Sequence, residues 1–315
     1  MNQLNGVYTY DIPASITDGI SGLALRKISE DPASYEKDPR ADAVNFLIAR
    51  QGAVNRMLET YRNVRWLQLL NAGFEKVDLA LLRRRGIVFT NARSVYCGTI
   101  AEDVIAKILV LSRRYMTHFE HQREHFWPDD AQLPNENLDI AGKTLGILGA
   151  GAIGREIALR ASALGMRVVG YDPYIAGQEG FLTVVQTDLS GFLRTCDYVV
   201  TSLPVTGETR GLIGRGALAA MRPTAFLINV ARGEIIDEKA LAEALNSGAI
   251  AGAAIDVTRA EPLPPDDPLW SAKNILITPH RAAYGDGMKA RMCGLIEHNV
   301  VCWLRGEPLR DRVAL

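Results

Sequence analysis

No stretch of this chain leaves the fold less freedom than Lys143–Asp172, which reads Lys-Thr-Leu-Gly-Ile-Leu-Gly-Ala-Gly-Ala-Ile-Gly-Arg, a helical run, and then Arg-Val-Val-Gly-Tyr-Asp. The apolar run Leu145, Ile147 and Leu148 precedes Gly149, Gly151 and Gly154, which stand at the G-x-G-x-x-G spacing. Each glycine answers a different steric demand. Gly149 permits a sharp turn off a strand, Gly151 lets the backbone approach a pyrophosphate, and Gly154 lets the next helix lie close to the strand. That helix opens at Ala152 and Ile153 and places Ile153, Ile157, Ala161 and Leu164 on one face. It stops at Gly165, so its N-terminus aims unpaired N–H groups at the phosphates. Arg167–Tyr171 then form a second strand, and Asp172 ends it where an acid accepts hydrogen bonds from ribose hydroxyls. The same carboxylate repels a ribose phosphate, which favours NAD over NADP.

A chain of 315 residues is long enough for two domains. Its net charge of −1, with acids and bases interspersed, offers no surface for nucleic acid or membrane. Arg155 and Arg160 interrupt the best candidate for a membrane span. The N-terminus lacks a basic region followed by an apolar one, so the cytoplasm is the expected compartment. Cys97, Cys196, Cys293 and Cys302 have no C-x-x-C spacing, and reduced, buried thiols are expected. Three histidines, His118, His121 and His125, fall close together, but no acid partner is obvious and no metal site is expected.

Residues 1–97 alternate between apolar runs at Ala43–Ala49, Val64–Leu70 and Ile87–Thr90 and helical stretches such as Asn55–Tyr61 and Leu79–Arg85, the pattern of a small parallel sheet. Ser29–Arg40 reads as an exposed connection. Ile100–Tyr115 reads as a long amphipathic helix leading into the second unit, and the polar, aromatic segment His118–Asn137 as a solvated or subunit-contact stretch. From Gly142 strands are expected at 144–149, 167–172, 198–203, 224–230, 250–257 and 275–279, with a helix capped by Asp237 and ended by Gly248. Six strands with helical crossovers make a doubly wound sheet. The last helix, from Met288, is expected to return to the first unit. The chain thus divides into a discontinuous domain, 1–97 plus 288–315, and a dinucleotide-binding domain, 98–287.

Four stretches follow the fingerprint at strand ends: Ser202–Arg210, Asn229–Glu238, Ala254–Pro262 and Thr278–Arg281. They bring an arginine, acids and a histidine to one edge of the sheet, the set a hydride transfer to a 2-keto acid needs. Over roughly residues 65–305, with an Asn-Ala-Gly loop at Asn71–Gly73, the chain resembles the D-isomer-specific 2-hydroxyacid dehydrogenases, the family of phosphoglycerate, glyoxylate/hydroxypyruvate and D-lactate dehydrogenases. The resemblance implies a doubly wound parallel Rossmann sheet for NAD plus a smaller flavodoxin-like α/β substrate domain. It also implies a cleft that closes over a small 2-keto or 2-hydroxy acid, and a homodimer formed through the cofactor domains and the His118–Asn137 region.

The same resemblance implies the roles. Arg232 grips the substrate carboxylate and carbonyl oxygen with its planar fork. His280 is acid for reduction and base for oxidation, because imidazole exchanges protons near neutrality. Glu261 supports His280. Asp256 holds the nicotinamide carboxamide, and Pro204, Thr209, Val230 and Ala231 lie along the cofactor. Ala72 and Gly73 offer backbone N–H groups to the carboxylate beside Asn71, and Arg50 contacts the rest of the substrate. The chain departs from the family at Arg281, after the histidine, and at Ala92-Arg93-Ser94. Arg281, Arg93 or Arg50 is therefore expected to accommodate a second anionic group on the substrate. A second reading on this fold is an NAD(H)-sensing, corepressor-like interaction protein.

Overall fold

The computed structural model describes residues 4–13, 16, 18–129, 137–175, 177–179, 182–185 and 188–315. It divides into two compact units, Met1–Tyr96 with Gly285–Leu315, and Cys97–Tyr284.

Unit 1 holds a five-stranded, wholly parallel sheet. Its strands are β1 (Leu4–Tyr8), β2 (Leu23–Lys27), β3 (Phe46–Ala49), β4 (Trp66–Leu69) and β5 (Val88–Thr90), in the flavodoxin-like order β2-β1-β3-β4-β5. Central β3 and β4 are buried along their whole length, as strands covered on both faces must be. The apolar runs anticipate only β3, β4 and β5. β1 escapes them because its Asn5 and Gly6 are poor strand formers, yet Gly6 is required there: a Cβ would stand 2.5 Å from Leu25 Cδ2 and 2.9 Å from Phe46 Cδ1. On one face, the helix Met288–Arg305 buries Met292, Leu295, Ile296 and Val300 in a cluster with Leu4, Phe46 and Trp66. The Trp66 ring stacks between Phe46 at 4.1 Å and Trp303 at 5.1 Å. Ser29–Arg40 is no simple exposed connection, because Tyr35 reaches the core and Asp38 takes hydrogen bonds from Arg26 and the Tyr61 hydroxyl.

Among the described residues unit 2 holds eight strands rather than six: β6 (Thr144–Leu148), β7 (Arg167–Tyr171), β8 (Gly177–Glu179), β9 (Leu182–Val185), β10 (Tyr198–Thr201), β11 (Phe226–Asn229), β12 (Gly252–Ile255) and β13 (Ile275–Ile277). The order is β13-β12-β11-β10-β6-β7-β9-β8, parallel except for the β8–β9 hairpin. Those two short strands carry too little apolar periodicity to be read from sequence. Strand order reverses at β6, so the turn after β6 opens at the point where doubly wound sheets bind their ligands. The helix Glu238–Ser247 is capped by Asp237, which accepts from the Ala240 N–H, and ends at Gly248 in the left-handed region.

Two helical expectations need correction. The helix expected over Ile100–Tyr115 runs Arg93–Ser112, and a second, Tyr115–Arg123, starts after Arg114 turns left-handed with φ of 55°. The second helix takes in the start of His118–Asn137, of which residues 130–136 lie outside the described residues. Leu164, expected on the buried face of the helix after β6, is exposed, whereas Ile157 and Ala161 are fully buried. All four cysteines are buried, and none is joined in a disulfide among the described residues. Among the described residues no helix is long and apolar enough to cross a membrane, and no cluster of three His, Cys, Asp or Glu is arranged to hold a metal.

Candidate active site

The glycine turn after β6 shows the sterics its sequence demands. Gly149 adopts φ of +103°, and a Cβ on it would press to 3.0 Å against the Ser202–Leu203 backbone. A Cβ on Gly154 would stand 2.2 Å from the Gly149 carbonyl oxygen, so any side chain there would push the helix Ala152–Ala163 off the strand. Gly151 caps that helix without a side-chain partner and faces open space, with no atom within 4 Å of where a Cβ would stand. Open N–H groups at the start of a helix, next to a surface that only glycine leaves uncovered, fit a dinucleotide pyrophosphate. Asp172 is half-buried; its Oδ2 accepts the Ala150 N–H at 3.0 Å and its Oδ1 the Tyr174 N–H at 2.9 Å. The acid is thereby fixed beside the glycine turn. Thr209 closes the loop after β10, donating to the Pro204 carbonyl at 2.6 Å and accepting the Thr206 N–H at 2.7 Å. Val230 and Ala231 are buried at the end of β11.

Arg232, Glu261 and His280 follow β11, β12 and β13, which are neighbours in the sheet. The Ala231-Arg232-Gly233 turn is held from inside by Asn229, whose Oδ1 accepts from Ala231 N–H at 3.0 Å and Thr201 Oγ1 at 2.6 Å, and whose Nδ2 donates to the Arg232 carbonyl at 3.0 Å. Both Asn229 and Thr201 are buried, so this turn cannot drift without orphaning polar groups. The Arg232 Nη1 donates back to the Ala231 carbonyl at 2.6 Å, which sets the start of the guanidinium's path. Gly233 lies flat against the next loop: a Cβ would meet Thr258 C at 2.0 Å and Arg259 N at 2.3 Å. That loop carries Glu261 and is tied by Arg259 N–H to Glu238 Oε1 at 2.6 Å. Burial raises the Glu238 carboxyl above its usual range, with the Arg259 N–H pulling the other way.

The Glu261 Oε2 and His280 Nδ1 stand 2.8 Å apart, and Glu261 Oε1 accepts the Thr258 N–H at 3.3 Å. With 48% of the His280 side chain and 42% of the Glu261 side chain exposed, burial does not lock the pair, and the turns that carry it must. The His280 turn is unusual. Its φ is +54°, a left-handed conformation that costs a non-glycine residue free energy and persists only where surroundings impose it. The His280 N–H donates to the Asp256 carbonyl at 2.8 Å and the Thr278 carbonyl at 3.0 Å.

Asp256 is also built into the turn that carries His280. It is 3% exposed, and its oxygens accept Thr278 Oγ1 at 2.5 Å, Arg281 N–H at 2.9 Å and Ala282 N–H at 2.8 Å. Those three bonds tie its carboxylate to the turn after β13 and leave acceptor capacity on Oδ2. Sequence reasoning also passed over Thr201, Asn229 and Thr278; the signal available was their place, as the last residue of a strand or the first beyond it.

Within unit 1, Asn71 follows the end of β4. Its Oδ1 accepts the Gln51 N–H at 3.0 Å, and Asn91 Nδ2 donates to the Ala72 carbonyl at 2.7 Å. Asn71 therefore shapes the loop. Among the described residues neither the Ala72 nor the Gly73 N–H donates to a protein group, so both remain available. Of the three arginines expected at a second anion, Arg93 Nε lies 3.3 Å from Asp311 and Arg50 Nε 3.7 Å from Glu30. Arg281 is exposed, and its guanidinium lies over the Tyr284 ring, 4.2 Å from the centroid.

A doubly wound sheet with this glycine turn and a histidine–glutamate pair at its carboxyl edge fits the class of nicotinamide-dependent oxidoreductases. Residues 105–282 match the family model for the D-isomer specific 2-hydroxyacid dehydrogenase NAD binding domain, and the chain belongs to that family. It is 38% identical over 240 residues to a glyoxylate reductase of Korarchaeum cryptofilum, covering 75% of this chain and 71% of the relative. With a D-3-phosphoglycerate dehydrogenase of Archaeoglobus fulgidus it shares 32% identity over 94% of its own length and 54% of the relative's. In structure it resembles the NADPH-dependent glyoxylate/hydroxypyruvate reductase of Sinorhizobium meliloti, with a TM-score of 0.81 and 26% identity over 99% of this chain and 98% of that one.

Proposed function

We propose that this protein reduces a 2-keto acid to the D-2-hydroxy acid, with NADH as its cofactor and a second anionic group on the acid's tail. A bound reduced nicotinamide supplies the hydride. His280 delivers the proton to the carbonyl oxygen from Nε2, since Nδ1 faces Glu261 at 2.8 Å. That hydrogen bond, on a histidine held in a left-handed turn, is the observation that carries the reading. Glu261 fixes the ring, and its charge stabilises the imidazolium from which the proton leaves. Arg232, on its braced turn, holds the carboxylate and polarises the carbonyl. In unit 1 the Ala72 and Gly73 N–H groups serve as carboxylate donors.

Asp172, fixed by Ala150 and Tyr174, supports NADH over NADPH through charge repulsion of the extra phosphate. Arg281 is the favoured ligand for the second anion, because Arg50 and Arg93 already face carboxylates whereas the Arg281 cation lies on an aromatic face that leaves its N–H edge open. The exposed aromatics Tyr115, Phe119, Phe126 and Trp127 support a homodimer through this part of unit 2. The test reduces hydroxypyruvate and oxaloacetate with NADH and resolves the products by chiral chromatography, before and after Arg281→Ala. D-products are expected, with oxaloacetate turnover weakened roughly tenfold and hydroxypyruvate unchanged. L-products would overturn the stereochemical assignment, and equal effects on both acids would overturn the role of Arg281.

A further inference from the structure

Asp256 ends β12 as a carboxylate almost without solvent, and each of its hydrogen-bond partners among the described residues is a dipole rather than a cation. The nearby charges on the helix Arg93–Ser112, Asp103 and Lys107, pair with each other. Asp103 nevertheless registers the Asp256 charge: burial raises its carboxyl first, and Asp256 adds to the rise. A buried carboxylate is retained only where donors converge on it. Here the three donors come from Thr278, Arg281 and Ala282, the residues on either side of His280.

We propose that Asp256 is the positioning residue for His280: its carboxylate gathers the flanking Thr278 hydroxyl and the Arg281 and Ala282 N–H groups, and so holds His280 in the left-handed turn that presents Nδ1 to Glu261. Thr278 is its accomplice, bonded to Asp256 Oδ1 at 2.5 Å. The backbone completes the clamp, because the His280 N–H donates to the Asp256 carbonyl and the Asp256 N–H to the Asn229 carbonyl at 2.9 Å. The Arg232 and His280 turns are therefore both tied to Asn229, one directly and one through Asp256. An isosteric amide cannot replace the carboxylate. With its one carbonyl oxygen toward Thr278 and Arg281, an asparagine would turn its NH2 toward the Ala282 N–H, leaving a buried donor unsatisfied.

This assignment rests on the reading of His280 as the proton carrier, but its test does not require turnover. The Nδ1–H proton of a histidine held against a carboxylate resonates downfield of the amide envelope, and His280→Gln identifies the His280 signal by its disappearance. Asp256→Asn and Thr278→Val are expected to lose or broaden that resonance, and Thr278→Ser to restore it. Where hydroxypyruvate is reduced, kcat is expected to fall roughly 10- to 100-fold in the first two variants, the scale set by misplacing a reacting group by about 1 Å. NADH affinity, measured by fluorescence, is expected to stay within about threefold of wild type. A resonance that survives in both Asp256→Asn and Thr278→Val overturns the proposal. So does an intact resonance with a tenfold loss of NADH affinity, which would return Asp256 to the cofactor. If Asp256→Asn does not fold by circular dichroism, the Thr278 pair decides. A wild type that turns over no keto acid would remove the enzymatic reading and leave the resonance to decide the clamp.

Discussion

Gly233→Ala is the smallest change that separates the two turns of the active edge. In the structure the added methyl would sit 2.0 Å from Thr258 C, 2.3 Å from Arg259 N and 2.4 Å from Thr258 O, all backbone atoms. No side chain can swing aside. An ordinary contact lies near 3.4 Å, so the Thr258–Glu261 loop must retreat by more than an ångström or the Arg232 turn must lift off Asn229. Overpacking of this kind costs roughly 1–3 kcal/mol. For a unit of this size that lowers the melting temperature by roughly 3–10 °C. Either displacement moves Glu261 relative to His280 or Arg232 relative to the carbonyl, and a misplacement of about 1 Å is worth roughly 100-fold in rate. The assay pairs a thermal melt with steady-state keto-acid reduction. A variant with wild-type melting temperature and wild-type kcat would refute the argument that this glycine exists for the close approach of two backbones.

Buried groups elsewhere in the chain supply two further tests. Burial pushes the Cys196 thiol up to about 11, so at pH 8 it should resist iodoacetamide in the folded protein and react once urea unfolds it, as read by mass spectrometry of its peptide. Asp38 loses solvation by burial, yet hydrogen bonds from Arg26, the Arg40 N–H and Tyr61 hold its carboxyl below the usual range. Its folded value lies below the unfolded one, so the stability it contributes is present above the unfolded value, near pH 4, and is lost as pH falls through the folded value. Asp38→Asn should therefore lower the melting temperature at pH 7 and narrow the gap to wild type at pH 3; an equal gap at both would contradict it.

The glycine turn was legible because its demands are local. Gly149 needs a left-handed φ of +103° and Gly154 meets the Gly149 carbonyl, both demands set within the strand-turn-helix unit, so spacing conveys most of the geometry; only the approach of Gly149 to the Ser202–Leu203 backbone comes from afar. The regular alternation of unit 2 gave β6, β7 and β10 to β13 for the same reason, since each is a short apolar run between turns. What stayed hidden depends on partners far along the chain. β1 requires Gly6 because of Leu25 and Phe46, which no local pattern encodes. Arg93 is drawn to Asp311 from the opposite end of the sequence. The part played by Asp256 emerges only when β12 and β13 lie side by side and bring Thr278, Arg281 and Ala282 to one carboxylate. Asn71 likewise gives no sign in the sequence that its side chain holds the Gln51 N–H, twenty residues earlier. Residue types at strand ends show which chemistry is on offer; which of those residues face outward and which brace the turns is decided by packing.

The central claim is that His280 carries the proton in reduction of a 2-keto acid. NADH oxidation measured against glyoxylate, hydroxypyruvate, pyruvate, a branched keto acid, oxaloacetate and phosphonopyruvate, for wild type and His280→Ala side by side, tests it most directly. Selective turnover by the wild type that drops by roughly 100-fold or more in His280→Ala, with NADH still bound, is the predicted result. Equal rates for the two proteins, or no turnover of any acid by a wild type that binds NADH, would contradict it.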